Sequence, residues 1–180
     1  MKSRRVLLAI TLSWLALSPW RVAVAAPVTD PEHRMLVTLV GDWAVKQSLW
    51  TTGNAAPKVD AGRATFSLVL DGHELQQKLT IDDGTGFEGL GYLGFDQVAR
   101  QFFSTWMDVN FTGIVVAEGA FDPATRTYVL RGSMSAQGGK RIPVREVITV
   151  DGPDHFSYAY FETHGGNEAL AVKLDYKRVN

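Results

Sequence analysis

From residue 43 onward, apolar residues recur at every second position, and this pattern constrains the fold more than any other feature of the sequence. Ala64, Phe66, Leu68 and Leu70 illustrate it early in the chain, and residues 170–176 repeat it near the end. A period of two places successive side chains on opposite faces of an extended strand. Most of the chain is therefore predicted to form β-strands with one buried face and one solvated face.

Turn signals divide this pattern into about ten strands. Asp71-Gly72 suits a tight hairpin turn, and residues 82–84, 122–123, 137–139, 151–154 and 164–167 bring further Gly, Pro, Asn and Asp. The sequence contains no helical segment long enough for a parallel crossover, so a parallel α/β fold is excluded. We predict a single antiparallel up-and-down β-barrel over residues 26–180, whose interior is either filled by side chains or holds one small ligand.

A short helix precedes the first strand. Thr29 and Asp30 supply capping side chains, Pro31 suits the first turn, and Gly41 suits the helix stop. These signals predict a helix near residues 31–39.

The first 25 residues have the layout of a secretory signal peptide. Lys2, Arg4 and Arg5 precede an apolar run over residues 6–17, and Ala23-Val24-Ala25 has the small-x-small pattern of a signal peptidase cleavage site. We expect cleavage after Ala25 and a mature protein that is periplasmic or secreted, without a membrane anchor. The general secretory route is favoured, and the Arg4-Arg5 pair keeps the twin-arginine route as an alternative.

Composition excludes several chemistries. The chain has no cysteine, which rules out disulfides, thiolate nucleophiles, cysteine metal sites and a lipoprotein anchor. The net charge is −1, and the predicted signal peptide holds four basic residues and no acidic one, so the mature protein is more acidic. An acidic domain argues against nucleic acid as a partner. No motif of a nucleophilic hydrolase, a phosphate-binding loop or a calcium loop is present.

Gly41-Asp42-Trp43, between the helix and the first strand, resembles the G-x-W start of lipocalin-like (calycin) barrels. In those barrels the tryptophan closes the base and stacks against a basic residue of the last strand. The resemblance implies this structural role for Gly41, Trp43 and Arg178. A guanidinium on an indole face adds cation–π attraction to the closure.

Three further blocks resemble the bacterial family called domain of unknown function 1579, namely residues 87–96, 104–108 and 118–122. The likeness covers nearly all of residues 33–178. It implies one lipocalin-like β domain and no established activity.

Residues 89–94 also match G-x-G-x-x-G, the dinucleotide-binding pattern. That motif needs a helix after the glycines to receive a pyrophosphate, whereas a turn and another strand follow here. We interpret the glycines as positions where the strand coils or a neighbour packs closely.

Candidate site residues come from the aromatic and acidic side chains of the strands. A carboxyl group facing inward is costly unless it is functional or paired with an internal arginine, such as Arg145 or Arg63. Aromatic rings can line a cavity while phenol hydroxyls orient a ligand. The predicted ligand-binding residues are Trp106, Asp108, Tyr158, Tyr160, Phe87 and Glu118.

The favoured function is binding of a small apolar or amphipathic molecule, and three alternatives stay open. An enzyme would use Asp108, Glu88 or His73 for acid–base chemistry. A haem-binding barrel, as in the nitrobindins that this fold resembles, would use His73, His155 or His164; otherwise we expect the histidines at the surface and no cofactor or metal. An interaction module, possible as a homodimer, would have a filled barrel and an exposed apolar patch with Trp50, Phe103 or Phe161.

Overall fold

Ten antiparallel strands follow one short helix in the computed structural model of the chain, which describes residues 31–51 and 56–179. The predicted signal peptide and the predicted cap at Thr29 and Asp30 lie outside these residues. No helix in the described ranges has the length and apolar character needed to cross a bilayer. The elements are α1 (Pro31–Val37), β1 (Gly41–Leu49), β2 (Lys58–Val69), β3 (Glu74–Ile81), β4 (Phe87–Asp96), β5 (Gln101–Asp108), β6 (Phe111–Asp122), β7 (Thr127–Ser135), β8 (Arg141–Gly152), β9 (His155–His164) and β10 (Asn167–Arg178).

Each strand pairs with its neighbours in sequence, and β1 pairs with β10 to close the barrel. The closing register runs from Trp43 opposite Arg178 to Leu49 opposite Val172. Buried residues alternate with exposed ones along β1, and along β2 as far as Phe66, as the sequence pattern predicts. Leu68 and Leu70, which the pattern places on the same buried face, are exposed, because β2 ends at Val69 and the chain turns there. The prediction of an all-β, ten-stranded antiparallel barrel preceded by a short helix is confirmed.

The helix closes one end of the barrel, which we call the base; the opposite end is called the mouth. Leu36 and Leu39 are fully buried against the base, and the indole nitrogen of Trp43 donates a hydrogen bond to the Leu39 carbonyl at 2.9 Å. Phe156 stacks on Tyr176 with 4.1 Å between ring centroids and meets Trp43 edge-on at 4.7 Å. An aromatic layer therefore fills the barrel just above the helix.

Arg178 ties the end of the last strand to the helix. Its guanidinium lies 4.2 Å from the Trp43 ring centroid and donates hydrogen bonds to the carbonyls of Val40 at 2.7 Å and Thr38 at 2.9 Å. Gly41 has a φ of +133°, and a β-carbon there would lie 2.5 Å from Arg178 Nη1. Glycine is required at this position by both the backbone and the close guanidinium.

The last strand departs from simple alternation. Its register with β9 shifts between Leu170 and Val172, a β-bulge. Val172 pairs with Tyr160 on the inner face, whereas Leu170 pairs with Phe161 on the outer face. The expectation that Leu170 shares a face with Val172 is therefore wrong, because the bulge reverses the facing of the residues before it.

Candidate ligand-binding site

The barrel encloses a cavity of about 450 Å³ that extends from the aromatic layer towards the mouth. Most of its lining is apolar or aromatic, and a few polar side chains are interspersed. Apolar and aromatic residues of the lining include Leu49, Phe66, Leu79, Phe87, Trp106, Phe111, Val115, Met134, Tyr158, Tyr160 and Val172. Its polar residues include Gln47, Gln77, Asp83, Ser104, Asp108, Asn110, Glu146 and Glu162.

Two glycines of β4 make room for the indole of Trp106 in the cavity wall. Gly91 pairs with Trp106 across β4 and β5, and a β-carbon on Gly91 would lie 3.0 Å from the indole. A β-carbon on Gly89 would collide with the same ring. The G-x-G-x-x-G pattern therefore serves side-chain packing within a strand, and no helix follows it to receive a phosphate.

Asp108 lies near the mouth and is held by local hydrogen bonds. Its Oδ2 accepts from the indole N–H of Trp106 at 2.8 Å, and its Oδ1 accepts from the backbone N–H of Asn110 at 2.8 Å. These two bonds fix the Trp106 ring and the end of β5 together. Asp108 thus lines the cavity as an already hydrogen-bonded carboxylate.

Glu146 is the most deeply buried carboxyl group of the cavity. It lies on β8 between the inward-facing Val144 and Ile148 and is only 3% exposed. The Ser104 hydroxyl donates a 2.7 Å hydrogen bond to its Oε2. Burial raises the pKa of Glu146 to about 7, and the Ser104 bond only partly opposes this shift.

Gln47 places a side-chain amide in the same cavity. It is 8% exposed and faces inward from β1 between Val45 and Leu49. No hydrogen bond joins this amide to any other described residue. The amide is open to the cavity, so it offers a hydrogen-bond donor and an acceptor to a ligand there.

Three tyrosines add hydroxyl groups to the inner wall. Tyr176 Oη accepts a hydrogen bond from Gln77 Nε2 at 2.8 Å, and Tyr160 Oη donates to the Met134 sulfur at 3.4 Å. Tyr158 lies between them along β9 and β10. Burial raises the pKa of all three phenols above the ordinary value of 10.0, so they stay neutral at physiological pH.

The structure brings most of the predicted site residues together. Five of the six predicted ligand-binding residues line the cavity: Phe87, Trp106, Asp108, Tyr158 and Tyr160. Glu118, the sixth, is exposed on the outer face of β6, since the inward positions there are Val115 and Ala117. Its outward position removes Glu118 from the candidate site.

Glu88 and the two arginines suggested as internal partners lie outside the barrel. Glu88 is exposed on β4, and Arg63 is exposed on β2. Arg145 forms a bidentate pair with Glu168, with N···O distances of 2.9 and 2.6 Å, and its guanidinium covers the outer face of Phe161 at 3.9 Å. The inward carboxyl groups therefore have no arginine partner among these candidates.

None of the described histidines lines the cavity. His73 lies at the base, where its ring centroid is 5.9 Å from that of His33, and His155 at the base pairs with Asp151. His164, at the mouth, is 2.7 Å from Glu162. This placement gives the haem alternative no histidine on the cavity wall, and within the described residues no group of three metal-ligating side chains is assembled.

The burial of His33 also differs from the prediction. The sequence predicts an exposed histidine on the helix, but His33 is only 4% exposed and meets Phe95 edge-on at 6.0 Å. The helix lies flat on the base, so this position faces the barrel.

Glu146, Ser104 and Gln47 were not predicted from the sequence. A signal was present for Glu146, because it shares its strand face with Val144 and Ile148, and those apolar neighbours face inward. Gln47 likewise follows Val45 on the inner face of β1. Strict use of the period of two would have identified both residues as polar groups inside the barrel.

Residues 28–178 match the model of a protein family described as "Protein of unknown function (DUF1579)". No curated protein matches the chain. Among solved structures, Rv2717c from M. tuberculosis is 17% identical, with a TM-score of 0.62 over 84% of this chain and 99% of that chain. The S-type phycobiliprotein lyase CPES from Guillardia theta is 14% identical, with a TM-score of 0.56 over 82% and 92%. At these identities the two structures show the fold alone.

Proposed function

This chain belongs to the family described as "Protein of unknown function (DUF1579)", and we propose that it binds one small amphipathic molecule inside the barrel. The observation that supports this proposal is the cavity of about 450 Å³ with polar groups on an otherwise apolar wall. Ligand pockets typically measure ~300–1,000 Å³ and combine such a wall with a few polar groups. A structural module would gain stability by filling this space with larger side chains.

Binding accounts for the cavity better than catalysis does. Of the three acid–base candidates, Glu88 is exposed on the outer wall and His73 lies at the base. Asp108 is hydrogen-bonded through both oxygens to Trp106 and Asn110. These positions offer no acid and base that could act on the same substrate atom.

The proposal includes export of the chain. Residues 1–25 have the layout of a signal peptide, and an exported barrel that binds a small molecule would act as a carrier or scavenger. The mass of the protein purified from its host's periplasm tests this point. A mass that begins at Ala26 supports export, and a chain that retains residues 1–25 in the cytoplasm contradicts it.

The binding experiment uses N-phenyl-1-naphthylamine, a neutral dye that fluoresces in apolar surroundings. We expect saturable fluorescence with one site per chain. Val115→Trp, which adds a large ring on the inner wall, should abolish the signal. Val116→Trp is the matched control, because Val116 is the next residue of β6 and its side chain is exposed outside. Equal dye binding by both folded variants would contradict a site inside the barrel.

A further inference from the structure

The side chains that line the cavity are acidic or neutral. Its described lining includes four carboxyl groups, Asp83, Asp108, Glu146 and Glu162, and no lysine, arginine or histidine. Arg178, at the base, donates to the carbonyls of Thr38 and Val40 and lies over the Trp43 ring. The potential inside the cavity therefore disfavours an anionic ligand.

Glu146 leaves one carboxylate oxygen available in the middle of the cavity. Ser104 hydrogen-bonds to Oε2, and no described residue donates to Oε1. A buried carboxylate without a counter-charge costs several kcal/mol, so it either holds a proton or acquires a cationic partner. No described cationic side chain lines this cavity, so the partner would have to come from a ligand.

Gln47 is a second and independent polar group without a partner. Its amide is more than nine-tenths buried, lies on the cavity wall and is not hydrogen-bonded to any described residue. The side-chain carbonyl can accept a hydrogen bond from an ammonium N–H. The faces of Trp106, Tyr158 and Tyr160 in the same wall suit a cation through cation–π attraction.

From these contacts we infer that the ligand is an amphipathic organic cation, an amine with an apolar tail, whose charge is held beside Glu146. The inference rests on the proposed binding function and names its ligand class. The ammonium supplies the positive charge that the cavity wall lacks, and the tail contacts the apolar and aromatic lining. A fatty acid of the same length would bring a second negative charge towards Glu146 and be rejected.

The pH dependence of binding follows from the groups around Glu146. Tyr158 and Tyr160 face it from β9, and Tyr176 lines the same cavity from β10. All three stay neutral, because burial raises the pKa of each phenol. Asp83, Asp108 and Glu162 are the other carboxyl groups of the wall and lie towards the mouth, where Glu162 is hydrogen-bonded to His164. Because burial raises the pKa of Glu146 to about 7, a bound cation must displace its proton in acidic buffer. Cation affinity should therefore rise from pH 5 to pH 8.

The test compares three ligands with the same tail: decylamine, decanol and decanoate, each titrated calorimetrically into the mature protein below its micelle concentration at pH 7.5. We expect decylamine to bind at least tenfold more tightly than decanol, and decanoate to bind most weakly. Glu146→Gln keeps an acceptor for the Ser104 hydroxyl and should reduce the preference for decylamine over decanol to less than about threefold. Glu118→Gln, on the outer wall, is the matched control and should change neither.

A second measurement separates the effect of Glu146 on the pH dependence from that of Glu162 at the mouth. Decyltrimethylammonium has a fixed charge, so its pH profile reports on the protein alone. The rise in affinity from pH 5 to pH 8 should persist in Glu162→Gln and disappear in Glu146→Gln.

The outcomes distinguish the two proposals. Decanoate binding as tightly as decylamine, or an amine preference that survives Glu146→Gln, overturns the cation inference while the cavity remains a binding site. If decanol, decanoate, decylamine and the neutral dye all fail to bind, the proposed function itself fails and the inference fails with it.

Discussion

At the residue scale, Glu146 links the stability of the barrel to pH. Burial raises its pKa from 4.5 to about 7, so between these values the folded chain holds a proton that the unfolded chain has released. The free energy of unfolding therefore falls as pH rises through this window, by up to ~3 kcal/mol. The part of the free energy of unfolding that depends on the Glu146 proton is fully present below pH 4.5 and is lost above pH 7.

Glu146→Gln tests the linkage. The variant should match the wild type near pH 4.5 and be more stable at pH 8 by ~1–3 kcal/mol, since a neutral amide has no ionisation cost. Urea unfolding of both proteins at the two pH values measures the difference. A stability difference that is the same at both pH values would refute the assignment.

Gly89 tests the packing of the Trp106 ring. Gly89→Ala places a methyl group against the indole, so the ring or the strand must move, and we expect a loss of ~1–3 kcal/mol. Gly152→Ala is the control, because nothing lies within 4 Å of a β-carbon there and its φ is not positive. Urea unfolding compares the two variants, and equal losses would show that the indole does not occupy the space beside Gly89.

The face of the strand on which a side chain lies was predictable where apolar and polar residues alternate regularly. Trp106 and Asp108 share one face of β5, and the structure places both on the cavity wall. Glu118 is predicted from its acidic side chain, but the inward positions of its strand are Val115 and Ala117. Chemical type alone does not place a side chain, because facing is fixed by position in the pleat.

At the scale of elements, Arg178 joins three parts of the base. It donates to the carbonyls of Thr38, Val40 and Pro153, which belong to the segment after the helix and to the β8–β9 turn. Arg178→Met should cost ~2–4 kcal/mol in thermal or urea unfolding, because it leaves these carbonyls without a charged donor. Arg141→Met, which loses only hydrogen bonds to two serine hydroxyls at the surface, should cost under ~0.5 kcal/mol. Similar losses of stability in the two variants would contradict a special role for Arg178.

Element order was predictable, but the irregularities within elements were not. Turn residues and period-two runs correctly separate the ten strands. The shift between Leu170 and Val172 depends on how β10 fits against β9, so no local signal marks it. The burial of His33 similarly depends on how the helix lies across the base, which is a tertiary contact.

At the scale of the whole molecule, both ends of the described chain lie at the base. The backbone N–H of Val179 donates to the Asp42 carbonyl at 2.9 Å, close to where the helix leads into β1. A circular permutant that joins the ends and opens between Gly138 and Gly139 should keep the barrel and unfold in one transition, because that turn lies at the mouth with open space around both glycines.

A second permutant, opened between Leu130 and Arg131 in the middle of β7, is the comparison. It interrupts the pairing of β7 with both β6 and β8 and should lose most of its β-sheet signal in circular dichroism. Equal folding of the two permutants would mean that β7 is dispensable for closure.

The pairing of β1 with β10 also sets the order in which the molecule can be completed. During synthesis, β1 emerges first and can pair at once with β2, but its other edge has no partner until β10 has left the ribosome. A chain interrupted before residue 167 would leave the backbone groups of β1 and β9 unpaired, and such edges recruit strands from other molecules. Truncated products should therefore be aggregation-prone. Only a chain that includes β10 can pair both edges of the sheet and so leave no strand edge exposed.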